Sequence, residues 1–475
     1  MKLRKVVSVF LASMTALSLV ACNSGGDNKE ADTAGASAAS TSASQDAGTT
    51  DNNASSNKVV LTVTYRETGD MEKSALYRWL TAAYESYDKK DSIELNIAPI
   101  TASEGDYFAK IALALQSADT APDIVTEDTF QLATDVSAGY LTKLDDMLAN
   151  YSDWNNGSYY ESLKEVVTTD SGTYGIPYST DTRGLWYNKE LFKEAGLPED
   201  WQPENWADIL AACKTIKEKL PDVVPFWCNS GVATGEGTSM QTYEMLLYGT
   251  GERLLDEDTG KWIIASQGIL DSLNFLNDIY SNGYGPSLSK VLNGQAGNTA
   301  TQEYLPQGKL AILLDGYWIT GNYLEEGASP WPEYSEVLGF AAMPMQYGQG
   351  TVTLSGGWAW SIPEKAKSKE EAFDFITHLM ETEIYTTSII NQGNISTRTD
   401  VTSKGAYSER PFMEIATEFL DGASFRPKDE KYSEVSTHIQ AMVEAVVSGT
   451  SPEDAMETYA ADVTRVVGED NVIRK

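Results

Sequence analysis

Short β-branched runs alternate with segments of helical period from residue 58 onward, and that alternation most narrows the fold. Val59-Val60-Leu61-Thr62-Val63-Thr64-Tyr65 reads as a buried strand bounded by polar residues. Gly69 and Asp70 open a helical stretch through 76–80, and a second strand is expected at 93–98. A helix is expected at 107–116, then a short strand in Pro122-Asp123-Ile124-Val125 and a helix leading to Gly139. This order predicts an α/β fold with a mostly parallel sheet and helices on both faces. Ligands of such folds meet the loops at the carboxyl ends of strands. Those ends carry Arg66 and Glu67 after the first strand, and Glu127 and Asp128 after the third.

Charge excludes several functions. The 475 residues hold 35 Lys+Arg against 69 Asp+Glu, a formal net charge of −34. Nucleic acid binds through clustered Lys and Arg that displace counterions, so no nucleic-acid partner is expected. The two histidines, His378 and His438, sit in no HExxH or Cys/His arrangement, which counts against a zinc hydrolase. Neither a metal nor a cofactor is expected.

Residues 1–21 read as an address. Lys2, Arg4 and Lys5 precede an apolar run over 6–21, too short to cross a bilayer as a stable helix. The run ends in Leu19-Val20-Ala21-Cys22, which resembles the bacterial lipobox, where cleavage before the cysteine accompanies diacylation of its thiol. The resemblance implies a lipid anchor at Cys22 on the extracellular face of the cell membrane, the only membrane attachment expected. Residues 22–57 are almost entirely Ser, Ala, Gly, Thr, Asp and Asn. They bury too little surface to offset ordering entropy, so a flexible tether spanning about 30–35 Å is expected.

Further along, Gly172-Thr173-Tyr174-Gly175-Ile176-Pro177-Tyr178 is followed by Asp181-Thr182-Arg183-Gly184-Leu185-Trp186-Tyr187-Asn188. Gly308-Lys309-Leu310-Ala311-Ile312-Leu313, Asp315-Gly316-Tyr317-Trp318 and Gly356-Gly357-Trp358-Ala359-Trp360-Ser361-Ile362-Pro363 come after it. In this order the motifs resemble family 1 extracellular solute-binding proteins, the maltose-binding-protein-like receptors of ABC importers. The resemblance implies a two-lobed periplasmic-binding-protein-like (type II) fold whose cleft closes on a sugar or oligosaccharide and delivers it to the permease. Lobe I would take 58–178 plus 353–400, and lobe II 183–350 plus 405–475. The hinges would lie at 178–183 and 351–354. A monomer is expected.

Sugar rings have an apolar face for aromatic stacking and hydroxyl rims for carboxylates, amides and arginine. Trp318 matches the family's stacking tryptophan, its alternative being a core position behind the strand at 310–314. Asp181 matches an acidic position past the first crossover, or caps a turn there. Arg183 contacts ligand or braces the hinge by pairing with a carboxylate. Tyr178 begins that hinge. Trp358 follows two glycines that permit close approach, with Trp360 expected on the other face. Trp227, Tyr243 and Arg398 are further ligand-binding candidates. The glycine-rich stretch 230–237 is either a loop over the cleft or a surface turn.

Cys213 and Cys228 either form a disulfide outside the cytoplasm or are two small buried residues. A glycoside hydrolase would need two carboxylates across a bond, and there is no GxSxG, P-loop or GxGxxG run to favour another enzyme. The same fold could instead take a polyamine, which needs convergent carboxylates around aromatics, or a ferric ion or phosphonate. A surface adhesin or a sensor partner is a more distant alternative.

Overall fold

The computed structural model describes residues 58–475 apart from 68, 70, 103 and 349. The leader, Cys22 and the segment to residue 57 lie outside the described residues, as does Asp70. The strands that frame the site are β1 (Val59–Thr64), β2 (Ile93–Ile97), β3 (Ile124–Asp128), β4 (Ile176–Thr180), β5 (Arg183–Asn188) and β6 (Val224–Trp227). They continue with β7 (Leu310–Gly316), β8 (Leu338–Ala341), β9 (Thr351–Leu354), β10 (Gly357–Ser361) and β11 (Ala423–Ser424). The helices used below are α1 (Ala75–Ser86), α2 (Glu104–Leu115), α3 (Leu132–Ser137), α4 (Trp206–Lys219), α5 (Gln267–Ser281), α6 (Thr382–Gln392) and α7 (Tyr432–Val447).

Two sheets result. One has the order β2-β1-β3-β10-β4 and the other β6-β7-β5-β8. Every residue of β3, β4, β5 and β7 is buried, because helices cover both faces. Helix α1 starts where the Ser74 side chain accepts the amide of Tyr77 at 3.4 Å, and it buries Trp79, Leu80 and Ala83. The side chain of Asp123 stitches the first sheet, accepting from Thr62 N at 2.9 Å and Ser368 N at 3.1 Å.

The pairing is more mixed than the strand–helix alternation implied. β1–β2, β1–β3 and β6–β7 run parallel, whereas β10 is antiparallel to β3 and β4, and β5 is antiparallel to β7 and β8. A chain that leaves a lobe and later re-enters it past one hinge must run in opposite directions on the two passes. β4 leaves the first sheet and β10 re-enters it.

Next to the β4–β5 connection these chain passes lie side by side. Arg183 N donates to Thr353 Oγ1 at 2.9 Å, and Thr353 Oγ1 donates back to Arg183 O at 3.0 Å. Ser355 N reaches Ser424 O at 2.8 Å. Gly357 has φ of 135°, and a Cβ there would lie 2.0 Å from Ser179 O, so only glycine fits the crossing.

Cys213 on α4 and Cys228 after β6 are free and buried, which selects two buried thiols over a disulfide. Burial pushes the Cys228 thiol up to about 11.

Candidate functional site

Strand β1 delivers Arg66 and Glu67 past its end, where a short parallel pairing with Ile100 and Thr101 holds them. Glu67 is buried and accepts the amide of Gly69 at 3.0 Å. The antiparallel register of β10 sets Trp358 opposite Asp128. Trp358 is half-buried and stacks on Phe108 with ring centroids 6.1 Å apart. Strict alternation would keep Trp358 and Trp360 on one face. A register shift between Trp358 and Ala359 lets Trp360 take separate neighbours, stacking on Tyr178 at 4.7 Å and packing against Trp79.

Trp318 follows β7 and lies back over the strand end. A Cβ on Gly316 would sit 1.7 Å from its ring, so glycine is what admits the indole. The Arg183 guanidinium carbon lies 4.9 Å from the Trp318 ring centroid. Arg183 also pairs with Asp181 and donates to Leu354 O at 3.0 Å, while Asp181 Oδ1 accepts Gly356 N at 3.0 Å. Arg183 and Asp181 therefore tie the β4–β5 connection to 354–356, and Arg183 lies over the Trp318 ring.

Two cavities open between the lobes, and Arg66 borders both. The larger, about 1030 Å³, is lined by Arg66, Glu67 and Arg78 opposite Trp318, Asn322 and Tyr334, with Arg410 at its side. The other, about 780 Å³, sets Phe108, Phe130 and Gln131 against Asn229, Gln295, Asn298 and Gln440. Amides that both donate and accept, facing aromatic rings, suit a hydroxyl-rich ligand. Asn229 Oδ1 is buried with no hydrogen-bond partner in the structure. The glycine-rich stretch at 230–237 forms a wall of this second cavity through Val232, Ala233, Thr234 and Gly235.

A buried charge cluster closes one side. Arg426, just past β11, donates to Asp128 Oδ1 at 2.6 Å and to Glu236 Oε2 at 3.0 Å. Its guanidinium carbon lies 4.7 Å from the Phe130 ring centroid. Tyr432 Oη lies 2.9 Å from Glu236 Oε2 and 2.6 Å from Glu244 Oε1. One phenol proton cannot serve both carboxylates. Burial pushes Glu244 up to about 8. On the other side of β3, burial pushes Glu127 well above the ordinary carboxyl range, with Asp135 of α3 at about 6.

Of the residues expected to bind ligand, the structure brings Arg66, Glu67 and Trp318 to one cavity. Asp128 sits beside the other cavity, held by Arg426. Four expectations are corrected. Tyr178 is buried in the first-lobe core against Trp360 and Trp79. Trp227 is fully buried on β6 and packs edge-on against Tyr304. Tyr243 is likewise fully buried. Arg398 is a core clamp, donating to Asp153, Asp400 and Met380 O at 2.8 Å each, which consumes its guanidinium away from the cleft.

Sequence reasoning missed Arg426, Glu236, Phe130, Asn229 and Arg410. Phe130, two residues past Asp128 at a strand end, carried a usable signal. Arg426 carried none, since its partners lie about 190 and 300 positions away in sequence, too far for any local pattern.

The comparisons agree with this architecture. The chain is 24% identical over 311 residues to the lactose-binding protein of Rhizobium radiobacter, covering 62% of this chain and 66% of that relative. It is 24% identical over 386 residues to a maltooligosaccharide ABC transporter solute-binding lipoprotein of Streptococcus pneumoniae, covering 78% of this chain and 75% of that one. Among solved structures, the maltose-bound MalE3 of T. maritima superposes with a TM-score of 0.74 at 24% identity, covering 86% of this chain and all of the other, so the two-lobed fold is shared. The profile of the bacterial extracellular solute-binding proteins matches residues 69–385, and the chain belongs to that family.

Proposed function

We propose that the protein is a lipid-anchored extracellular receptor of an ABC importer. It captures a sugar or oligosaccharide between its lobes and delivers it to the permease, breaking no bond. The observation that carries this is the interlobe cleft, with cavities of about 1030 and 780 Å³ meeting at Arg66, an indole at one end and amides facing phenyl rings at the other. The Streptococcus relative named as an ABC transporter lipoprotein supports both the transporter and the anchor at Cys22.

Lobe I is taken as 58–178 plus 353–400 and lobe II as 183–350 plus 405–475, with closure by hinge bending at the crossovers. Closure is favoured only by what the solute gains from the second lobe, so capture and signalling to the permease are one equilibrium. The polyamine reading loses support at Arg426. Asp128 and Glu236 do converge beside an aromatic ring, but this internal guanidinium already neutralises them. The same pairing argues against their acting as the acid and base of a hydrolase.

Thermal melts with mono-, di- and oligosaccharides test the reading. A raised Tm without new reducing ends supports a receptor. New reducing ends would identify a hydrolase, and a stabilising polyamine with no stabilising sugar would move the ligand class.

A further inference from the structure

Among the described residues the two cavities share only Arg66, and each carries its own groups suited to a sugar. The larger has the half-buried Trp318 with Asn322 and Asn394. The second has Phe108 and Phe130 with the amides of Asn229 and Gln440. Asn229 is 6% exposed, and its buried Oδ1 has no hydrogen-bond partner. Glycines flank it: a Cβ on Gly237 would lie 2.9 Å from Asn229 Nδ2, and one on Gly297 3.8 Å from Oδ1. Gln440 is fixed through Nε2, which donates to Ser436 Oγ at 3.1 Å and Ser239 Oγ at 3.3 Å. A buried amide oxygen without a partner is costly, and a ligand hydroxyl that donates to it removes the cost. Both segments that wall this cavity, 229–236 and 294–298, lead into π-helical turns, Ser239–Glu244 and Thr299–Tyr304. Such turns are rare and recur at functional sites.

Size and charge limit the solute. A pyranose unit has about eleven non-hydrogen atoms and fills roughly 200 Å³ at the packing density of a protein interior. A disaccharide therefore fills less than half of the larger cavity, about 1030 Å³. Seated there, it leaves Asn229 in the second cavity, about 780 Å³, without a partner. The larger cavity carries as many carboxylates as cations. At the second, Arg66 and Asp106 bring opposite signs and Glu236 is paired with Arg426, so neither calls for an ionic solute. We propose that the solute is a neutral, linear oligosaccharide of about four or more units that spans both cavities past Arg66. One end lies at Trp318, and a hydroxyl near the other donates to the Asn229 amide. The inference rests on the sugar-receptor reading above and adds the length of the ligand.

The test is titration calorimetry of the intact protein with di- to hexasaccharides of the malto, cello, manno and xylo series. In at least one series the tetrasaccharide should bind tenfold or more tighter than the disaccharide, with one ligand per chain. That ratio should fall several-fold in Asn229→Leu, which keeps the volume and loses both polar atoms. It should fall equally in Asn229→Ala, which cannot crowd the site. A disaccharide that binds as tightly as its tetrasaccharide overturns the span and leaves the receptor reading standing. Two disaccharides bound per chain overturn a single spanning ligand. A length preference that survives both substitutions overturns the second cavity as the far end. If no saccharide binds, the receptor reading fails and this inference fails with it.

Discussion

Arg426 Nη2 lies 2.6 Å from Asp128 Oδ1, so a residue just past β11 holds the last residue of β3 by a buried ion pair. Its Nη1 reaches Glu236, so one guanidinium ties the end of β3 to the 230–237 stretch. Around it Thr134 and Gln131, on the first-lobe side, bond Ser433 of α7 at 3.2 and 3.0 Å. Replacing Arg426 with Ala would leave two carboxylates buried without a counter-ion. Denaturant unfolding should show a loss of about 3–5 kcal/mol. An unchanged midpoint would mean that the pair contributes nothing to stability.

Trp318 and Gly316 should fail together. Among the described residues Trp318 is the only indole lining the larger cavity, and Trp318→Ala should weaken sugar binding by about 1–3 kcal/mol. Gly316→Ala keeps the indole, yet its Cβ would sit 1.7 Å from the present ring position, so the ring must move. Calorimetry should find both variants weakened and the fold intact by circular dichroism. Full affinity in Gly316→Ala would separate the ring's position from ligand capture.

Stability should decline as pH rises. Burial pushes Asp135 up to about 6, Asp315 to about 7 and Glu244 to about 8. Their unfolded values are about 4, so the folded chain binds these protons more tightly. The stability they contribute is complete below about pH 4 and is lost progressively as pH rises through each folded value. Melting temperatures should fall between about pH 5 and 8. Glu244→Gln, which stays neutral, should flatten that fall, most visibly between about pH 7 and 8, where Asp135 has ionised and Asp315 is completing its ionisation. A wild-type profile that rises across this range would refute the assignment.

Cys213 and Cys228 should stay reduced. Both are fully buried, and burial raises both thiol pKa values, which suppresses the reactive thiolate. Alkylation followed by peptide mass spectrometry, without added reductant, should label both in denatured protein and neither in native protein. A disulfide-linked peptide pair would overturn this.

The framework was legible in the sequence because strands and helices announce themselves over a few residues. The β-branched run at 59–65 became β1, the helix expected to open at Gly69 and Asp70 begins at Ala75, and the strand expected in 122–125 runs over 124–128 and takes in Glu127 and Asp128. Arg66, Glu67 and Trp318 were legible for a related reason, since strand ends point into the cleft of an α/β sheet. Tyr178, Trp227, Tyr243 and Arg398 were misplaced because residue type does not tell which side of a strand or helix faces the cleft. Only packing decides that, and for Trp360 a one-residue register shift decided it. The Arg426 pairing with Asp128 belongs to the tertiary structure alone. Its energy depends on desolvation and on the distance between atoms 298 positions apart in sequence, and a linear sequence encodes neither until it is folded.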